Sequence, residues 1–462
     1  MQSFTRGEHV FDTGLHYVGG LAPGQTLYNY WKYFGLTDLP WVQMDPDGFD
    51  IISLEGSEYP MAQGFDNFMN RLAALLPGSE QALLLYTGKL REIAGSHPLY
   101  NLEIPDPGMT DIYQSQKASD FLNVVISNIE HRTSNIEHRL TNILLGNNLL
   151  YAGNPDTTPL HQFGLINHSF ISSAWRLAGG SQQIADKLAE GIRSHGGTVL
   201  AKTEVTKISG EDSRFVITTA GGTEFRSAQV ISDIHPAATL NLLNGIPLQK
   251  AFSERIHRLE NTVSVFSVYL GLKPGTFPFL NHHVYHFTSG KVWTSEISGD
   301  GAWPGGFLFM TPPVKDQDEW ADTAVILAAS RYADFIQWED SLTGWRDKSY
   351  WIFRAQKTQR LLEAVFSKFP ELRRAIASID ISTPLTWRDY TGTPEGSMYG
   401  IARNAEDPVR SVIYPRTKIP GLFFTGQSVN LHGAAGVTIG AVMTCGEILG
   451  LPHVLKTIRH AL

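Results

Sequence analysis

The most suggestive chemistry lies between residues 420 and 449, PGLFFTGQSVNLHGAAGVTIGAVMTCGEIL. A short apolar run, Gly421-Leu422-Phe423-Phe424-Thr425, is bounded by glycine and proline and predicts a strand buried on both faces. Gly426 permits a sharp turn, and a polar loop bearing Gly433 and Gly436 follows. From Val437 onward small apolar residues (Val437, Ala441, Cys445, Ile448) recur at helical spacing. Such a strand, glycine loop and small-residue helix lets backbone approach a ligand closely. It also aims unpaired N–H groups and the positive end of a helix at an anion or a polarised ring. The same pattern serves a tight strand–helix crossover in any α/β core.

Other titratable groups suit reaction less well. The hexapeptide SNIEHR occurs twice, at 127–132 and 134–139, with Thr133 between the copies. His131 and His138 with their glutamates have donor chemistry for a metal. A seven-residue offset drifts around a helix, however, so a short duplication in a solvated helix or loop is expected. The densest histidine cluster is NHHVYH at 281–286, with His283 and His286 three apart. No carboxylate or cysteine stands at ligand spacing there, so a strand or loop with solvated histidines is expected, and no metal. The chain contains no G-x-S-x-G elbow, P-loop or H-E-x-x-H, which removes the best markers of hydrolysis and phosphoryl transfer.

The elements that must position these residues are legible in outline. With 462 residues the chain can bury a large core, in two interleaved domains. A formal net charge of −8 without a dense Lys/Arg run argues against a nucleic-acid surface. One cysteine, Cys445, excludes an intrachain disulfide and fits a reducing cytoplasm. No apolar run approaches the ~18 residues of a membrane span. Phe65, Phe68, Leu72 and Leu75 predict one helix and 80–93 a second; 356–379 predicts an amphipathic helical pair. Ser181 can cap a helix with Ile184, Leu188 and Ile192 on its apolar face, ended by Gly196-Gly197. A strand over 198–208, a hairpin turning at Gly221-Gly222 and a strand over 230–233 follow. An apolar strand is expected over 263–272, and 391–400 is a glycine-rich loop. Over 452–462 an amphipathic helix carries Val454, Leu455, Ile458 and Leu462 on one side. It packs on its own domain or contacts a membrane interface.

Three segments, in the same order, resemble the FAD-dependent phytoene desaturase, carotenoid isomerase and retinol saturase family. They are FDTGLHYVGG at 11–20, the unit 179–208, and GLFFTGQSVNLHGAAG at 421–436, and the resemblance runs nearly end to end. It implies an α/β fold, in which a discontinuous Rossmann-like FAD domain (1–60, 165–255, 385–462) is interleaved with a sheet-plus-helices substrate domain (61–164, 256–384). For cofactor contact it implies Gly426, Gln427, Gly433, Gly436, Val437 and Thr438, with Val205 beside the adenine. Many related flavoproteins carry an acid where Gln427 stands; an amide can still hydrogen-bond to ribityl or phosphate groups. In the family a glycine-rich βαβ unit precedes the first motif, and no G-x-G-x-x-G occurs here. By resemblance, roughly the first 30–40 residues of that fold, one βαβ unit, are expected to be absent.

The resemblance implies an FAD-dependent oxidoreductase acting on carbon–carbon double bonds of a polyene isoprenoid, with NAD(P)H a candidate reductant. The cofactor supplies the reactivity and the protein orients an apolar substrate in a tunnel. His16 and His432 fall inside the matching motifs and are candidate proton donors or structural hydrogen-bonders. Peripheral membrane contact follows only from the substrate class. Two further expectations stand beside this one: a non-catalytic homologue lacking the dinucleotide unit, and an amine or amino-acid oxidase on the same fold.

Overall fold

The computed structural model describes residues 2–106, 108, 111–130, 133–211, 214–293 and 303–462. Its centre is a seven-stranded sheet, in the order Ile376–Ser382, Ser264–Leu272, Thr323–Ser330, Gly306–Met310, His283–Phe287, Asp50–Leu54, Ser57–Met61. All neighbours run antiparallel except His283–Phe287 beside Asp50–Leu54. The central strands Ser264–Leu272, Thr323–Ser330, Gly306–Met310 and His283–Phe287 are largely apolar because both faces are covered, while the edge strands Ser57–Met61 and Ile376–Ser382 carry polar residues. Ile52, Tyr285, Leu308 and Leu327 project to one face, into a core shared with the helices Glu80–Ser96, Ala118–Ser127 and Leu160–Ser172. Val284, Phe309, Ile326 and Val268 project to the other, against Leu361 and Val365 of the helix Lys348–Lys368. Period-2 alternation therefore sorts two cores across one sheet.

The remaining chain surrounds a parallel strand pair, Val230–Ser232 with Leu422–Phe424, and the helix Gly433–Leu449. A four-stranded sheet built on Val205–Glu211 flanks the pair. The helix Thr26–Tyr33 is tied to the last long helix by the Trp31 indole, which donates to Thr438 Oγ1 at 3.0 Å. The boundary expected at residue 60 falls inside the strand Ser57–Met61, and residues 50–61 hydrogen-bond into the large sheet.

Several local expectations are corrected. The second half of 356–379 is not helix throughout: the chain leaves the short helix Leu372–Ala375 and enters the edge strand Ile376–Ser382, paired with Ser264–Leu272. The strand expected from residue 198 begins at Val205; residues 198–203 are exposed and pair with no strand among the described residues. Ile184 is buried, but Ile192 at the other end of its helix is 49% exposed, so the apolar face of Gln182–Ser194 is only partly covered. The helix expected from Val437 begins at Gly433 and runs to Leu449, the last long helix before the short tail helix Leu451–Arg459. In the tail, Leu455 and Ile458 of Leu451–Arg459 are buried against the protein, in line with packing on its own domain. Among the described residues no helix is long and apolar enough to cross a membrane. The first SNIEHR copy follows the end of one helix, while the second opens another, Ser134–Leu144, capped by Thr133. His131 lies outside the described residues.

Candidate functional site

The helix Gly433–Leu449, the motif around His16 and the large sheet enclose one cavity of about 340 Å³. That is within the range of small-molecule sites, and its walls are mainly apolar: Leu308 and Leu327 from the sheet, Leu165 and Phe170 from a helix, Ile439 and Met443 from the last helix. The start of the last helix forms part of the wall through residues 433–436. No side chain caps this end, because His432 at the N-cap makes no capping bond. Gly433 has φ +75°, and a Cβ there would meet no protein atom within 4 Å. Gly436 is needed for another reason: its Cβ would fall 2.4 Å from the Leu431 carbonyl oxygen, so only glycine lets the loop close onto the helix. An uncapped helix start behind a bare glycine, facing an apolar hollow, suits the pyrophosphate or the polar edge of a flavin.

Of the expected cofactor residues, Gly433 and Gly436 line the cavity, together with both candidate histidines. Gly426, Gln427, Val437, Thr438 and Val205 are not among its lining residues. Thr438 is occupied, donating to Ala434 O at 2.8 Å and accepting from Trp31. Val205 packs against the small core of Ile208, Phe215, Ile419 and Leu422.

His432 donates from Nε2 to the Leu150 carbonyl at 3.0 Å and stacks on Tyr399 at 4.0 Å. Burial pulls it down to about 4, so it is neutral, with its proton committed to backbone. His16 is likewise pulled down by burial, against the opposing charge of Asp12. These positions suit hydrogen-bonding better than acid catalysis.

Sequence reasoning missed three groups. Arg403 is buried, and its guanidinium donates to Ser411 O, to Ser428 O at 2.9 Å and to Asn430 O at 2.6 Å. It thereby shapes the loop that enters the last helix. In the helical wall, His97 donates from Nε2 to Asp111 Oδ2 at 2.9 Å, and His161 stands beside it, ring centroids 6.1 Å apart. The third group is Tyr17, Asp50, His283 and Tyr285. The Tyr17 hydroxyl donates to Asp50 Oδ2 at 3.0 Å and lies 2.7 Å from the Tyr285 hydroxyl. The histidines of 281–286 are therefore not solvated as a set, since His283 is fully buried. The available signal was Asp50 itself, an acid between the apolar Phe49 and Ile51. No group of three His, Cys, Asp or Glu suited to a metal occurs among the described residues.

The His97–Asp111 pair makes stability depend on pH. Burial disfavours both charges, but the mutual hydrogen bond and charge outweigh it, raising His97 and lowering Asp111. A raised histidine stabilises below its unfolded value and loses that contribution as pH rises through its folded value. A lowered carboxylate stabilises above the usual carboxylate range and loses it as pH falls. The melting temperature is expected to fall more between pH 6 and pH 8 in the wild type than in Asp111→Asn; equal falls would refute the coupling.

A family model described as flavin containing amine oxidoreductase matches residues 1–446. All-trans-retinol 13,14-reductase of Danio rerio is 25% identical over 485 residues, covering 95% of this chain and 78% of that protein. The Homo sapiens protein of the same name is 24% identical, covering 97% and 79%. Prolycopene isomerase 2, chloroplastic, of an Oncidium hybrid cultivar is 25% identical over 297 residues, covering 62% and 46%. Among solved structures, a putrescine oxidase redesigned in its cofactor binding superposes with a TM-score of 0.59 at 13% identity, covering 99% of this chain and 90% of that one. A CLA-producing fatty acid isomerase from P. acnes gives 0.53 at 11%, covering 95% and 86%. These two likenesses establish the fold.

Proposed function

Because the chain belongs to the flavin containing amine oxidoreductase family, we propose that it is an FAD-dependent oxidoreductase acting on carbon–carbon double bonds of a polyene isoprenoid, a retinoid or carotenoid. The observation that carries this is the apolar cavity of about 340 Å³, bounded by the glycine start of the last long helix and by Leu308 and Leu327 of the large sheet. The relatives named for all-trans-retinol and prolycopene support a polyene substrate.

In this proposal Gly433 and Gly436 contact the cofactor directly. Gly426, Gln427, Val437 and Thr438 support the same loop and helix, and Val205 stands on the adenine side. Flavin, when bound, supplies hydride transfer, and a dihydronicotinamide is the proposed source of electrons. The chain's own part is to exclude water with apolar walls, to stack and orient the polyene, and to hold protons in place. His432 ties the loop before the last long helix to the Leu150 carbonyl, and His16 offers a neutral hydrogen-bonding group. The cofactor lobe is assigned to the strand pair and the last helix, and the substrate lobe to the large sheet with its helices.

Amine oxidation is less well supported. Among the described lining residues Asp111 is the sole carboxylate and is already bonded to His97, and none is an arginine or lysine. An ammonium or carboxylate substrate would lack a free counter-charge.

The test is the visible spectrum of the purified protein after addition of FAD and removal of the excess, followed by anaerobic mixing with all-trans-retinol under oxidising and reducing conditions. A bound-flavin spectrum and a changed polyene chromophore are expected. A protein that retains no flavin, or a flavoprotein that converts an amine but no polyene, would overturn the proposal.

A further inference from the structure

The parallel strand junction places Asp50 opposite His283, and Tyr285 follows two residues on, on the same face of the sheet. Tyr17, from the FDTGLHY motif, reaches this face across the cavity wall. Its hydroxyl bridges the other two, 3.0 Å from Asp50 Oδ2 and 2.7 Å from the Tyr285 oxygen. Tyr17 and Tyr285 both line the cavity, whereas Asp50 is fully buried behind them.

The surroundings leave Asp50 with little to stabilise a charge. Its Oδ1 has no hydrogen-bond partner, and His283 Nδ1 stands 3.7 Å away, too far for a bond. Neither nitrogen of the buried His283 ring is paired. The nearby Arg176 guanidinium spends its hydrogen bonds on Thr311 O, Leu280 O and Asn281 Oδ1. Burial raises Asp50 well above the usual carboxylate range, against opposing contributions from Tyr17 and Arg176. Burial, and then the charge of Arg176, pull His283 well below the usual histidine range. Once protonated on Oδ2, Asp50 would donate to Tyr17 where its carboxylate accepts from it, and Tyr17 would donate to Tyr285, a chain of three O–H groups pointing toward the cavity.

We propose that Asp50, Tyr17 and Tyr285 form a proton relay that ends on the cavity and supplies the proton for saturation of a carbon–carbon double bond. This rests on the polyene function proposed above and assigns its direction. Flavin, when bound and reduced by a dihydronicotinamide, would supply hydride to one olefinic carbon. The adjacent carbon receives the proton of the Tyr285 hydroxyl. Tyr285 is re-protonated by Tyr17, and Tyr17 by Asp50. The carboxylate left behind faces Arg176, and solvent returns its proton after product leaves. Tyr285 is the catalytic acid; Tyr17 and Asp50 act through it.

Two measurements test the relay. The first needs neither flavin nor substrate: at pH 7 the wild type is expected to show the infrared carbonyl band of a buried protonated carboxyl, lost in Asp50→Asn. The second uses flavin-loaded protein and all-trans-retinol. Tyr285→Phe and Tyr17→Phe are each expected to slow saturation about 100-fold, with the flavin spectrum and melting temperature retained. The double variant should be no slower than either single one, because the two hydroxyls form one path. The solvent deuterium isotope effect of the wild type should change in both variants. Absence of the carboxyl band, or wild-type rates in Tyr285→Phe, would overturn the relay while leaving the polyene function intact. If flavin-loaded wild type turns over no polyene, the functional proposal fails and takes the substrate end of the relay with it.

Discussion

Arg176→Met is expected to lower the stability of the folded protein by about 3–5 kcal/mol. Arg176 sits on the strand Ala174–Leu177, is 1% exposed, and reaches into the large sheet. There it donates to Thr311 O, Leu280 O and Asn281 Oδ1, each at 2.9 Å, with its guanidinium 4.8 Å from the Phe279 ring centroid. Methionine fills similar volume but removes all three bonds; Leu280 O keeps the Thr311 hydroxyl at 3.3 Å, while Thr311 O and Asn281 Oδ1 lose their donor at about 1–3 kcal/mol each. Lysine cannot substitute, because one ammonium cannot span the fork of a guanidinium. Burial already pulls Arg176 down to about 9, yet it keeps its proton at neutral pH. Equilibrium unfolding in urea would show a much lower midpoint for Arg176→Met and an intermediate one for Arg176→Lys. An unchanged midpoint in both would mean that the three bonds contribute nothing net.

The largest functional effect is expected at Gly433. With φ at +75°, a β-branched residue is strained by about 1–3 kcal/mol, and its side chain would project into the open cavity at the uncapped helix start. Gly433→Val is therefore expected to abolish the visible absorbance of bound flavin while far-ultraviolet circular dichroism stays native. Gly440, about two turns further on, supplies the control. Its Cβ would lie 3.5 Å from the Asn430 side chain, an ordinary contact, and Gly440→Ala should retain flavin. Loss of flavin in both variants would show general intolerance of the helix to substitution, and retention in both would remove Gly433 from the cofactor site.

How much could be seen in the sequence depended on the range of the interactions involved. The strand Leu422–Phe424, the glycine turn and the following helix were legible, because apolar runs, glycines and small-residue spacing act within a few residues. The site's polar core was not. Tyr17 and Tyr285 are 268 residues apart, and only sheet register brings them to 2.7 Å. The edge strand at Ile376 was hidden because its isoleucines continue the apolar spacing of the preceding helix, and pairing with Ser264–Leu272 decides the outcome. The SNIEHR copies make the same point with identical letters. The second becomes the first turns of a helix because Thr133 precedes it and its hydroxyl accepts from the Ile136 amide. Before the first copy stands the body of a helix that ends at Ser127.

The one parallel junction in the large sheet also has a kinetic consequence. Every antiparallel neighbour of Asp50–Leu54 is local, but its pairing with His283–Phe287 joins positions such as Ser53 and His286, 233 residues apart. Closing so long a loop costs conformational entropy before any contact repays it. The two halves of the sheet are therefore expected to collapse separately and zip together late. In refolding, helical signal should return first and the enclosed cavity last, so catalytic competence is a late product of chain assembly.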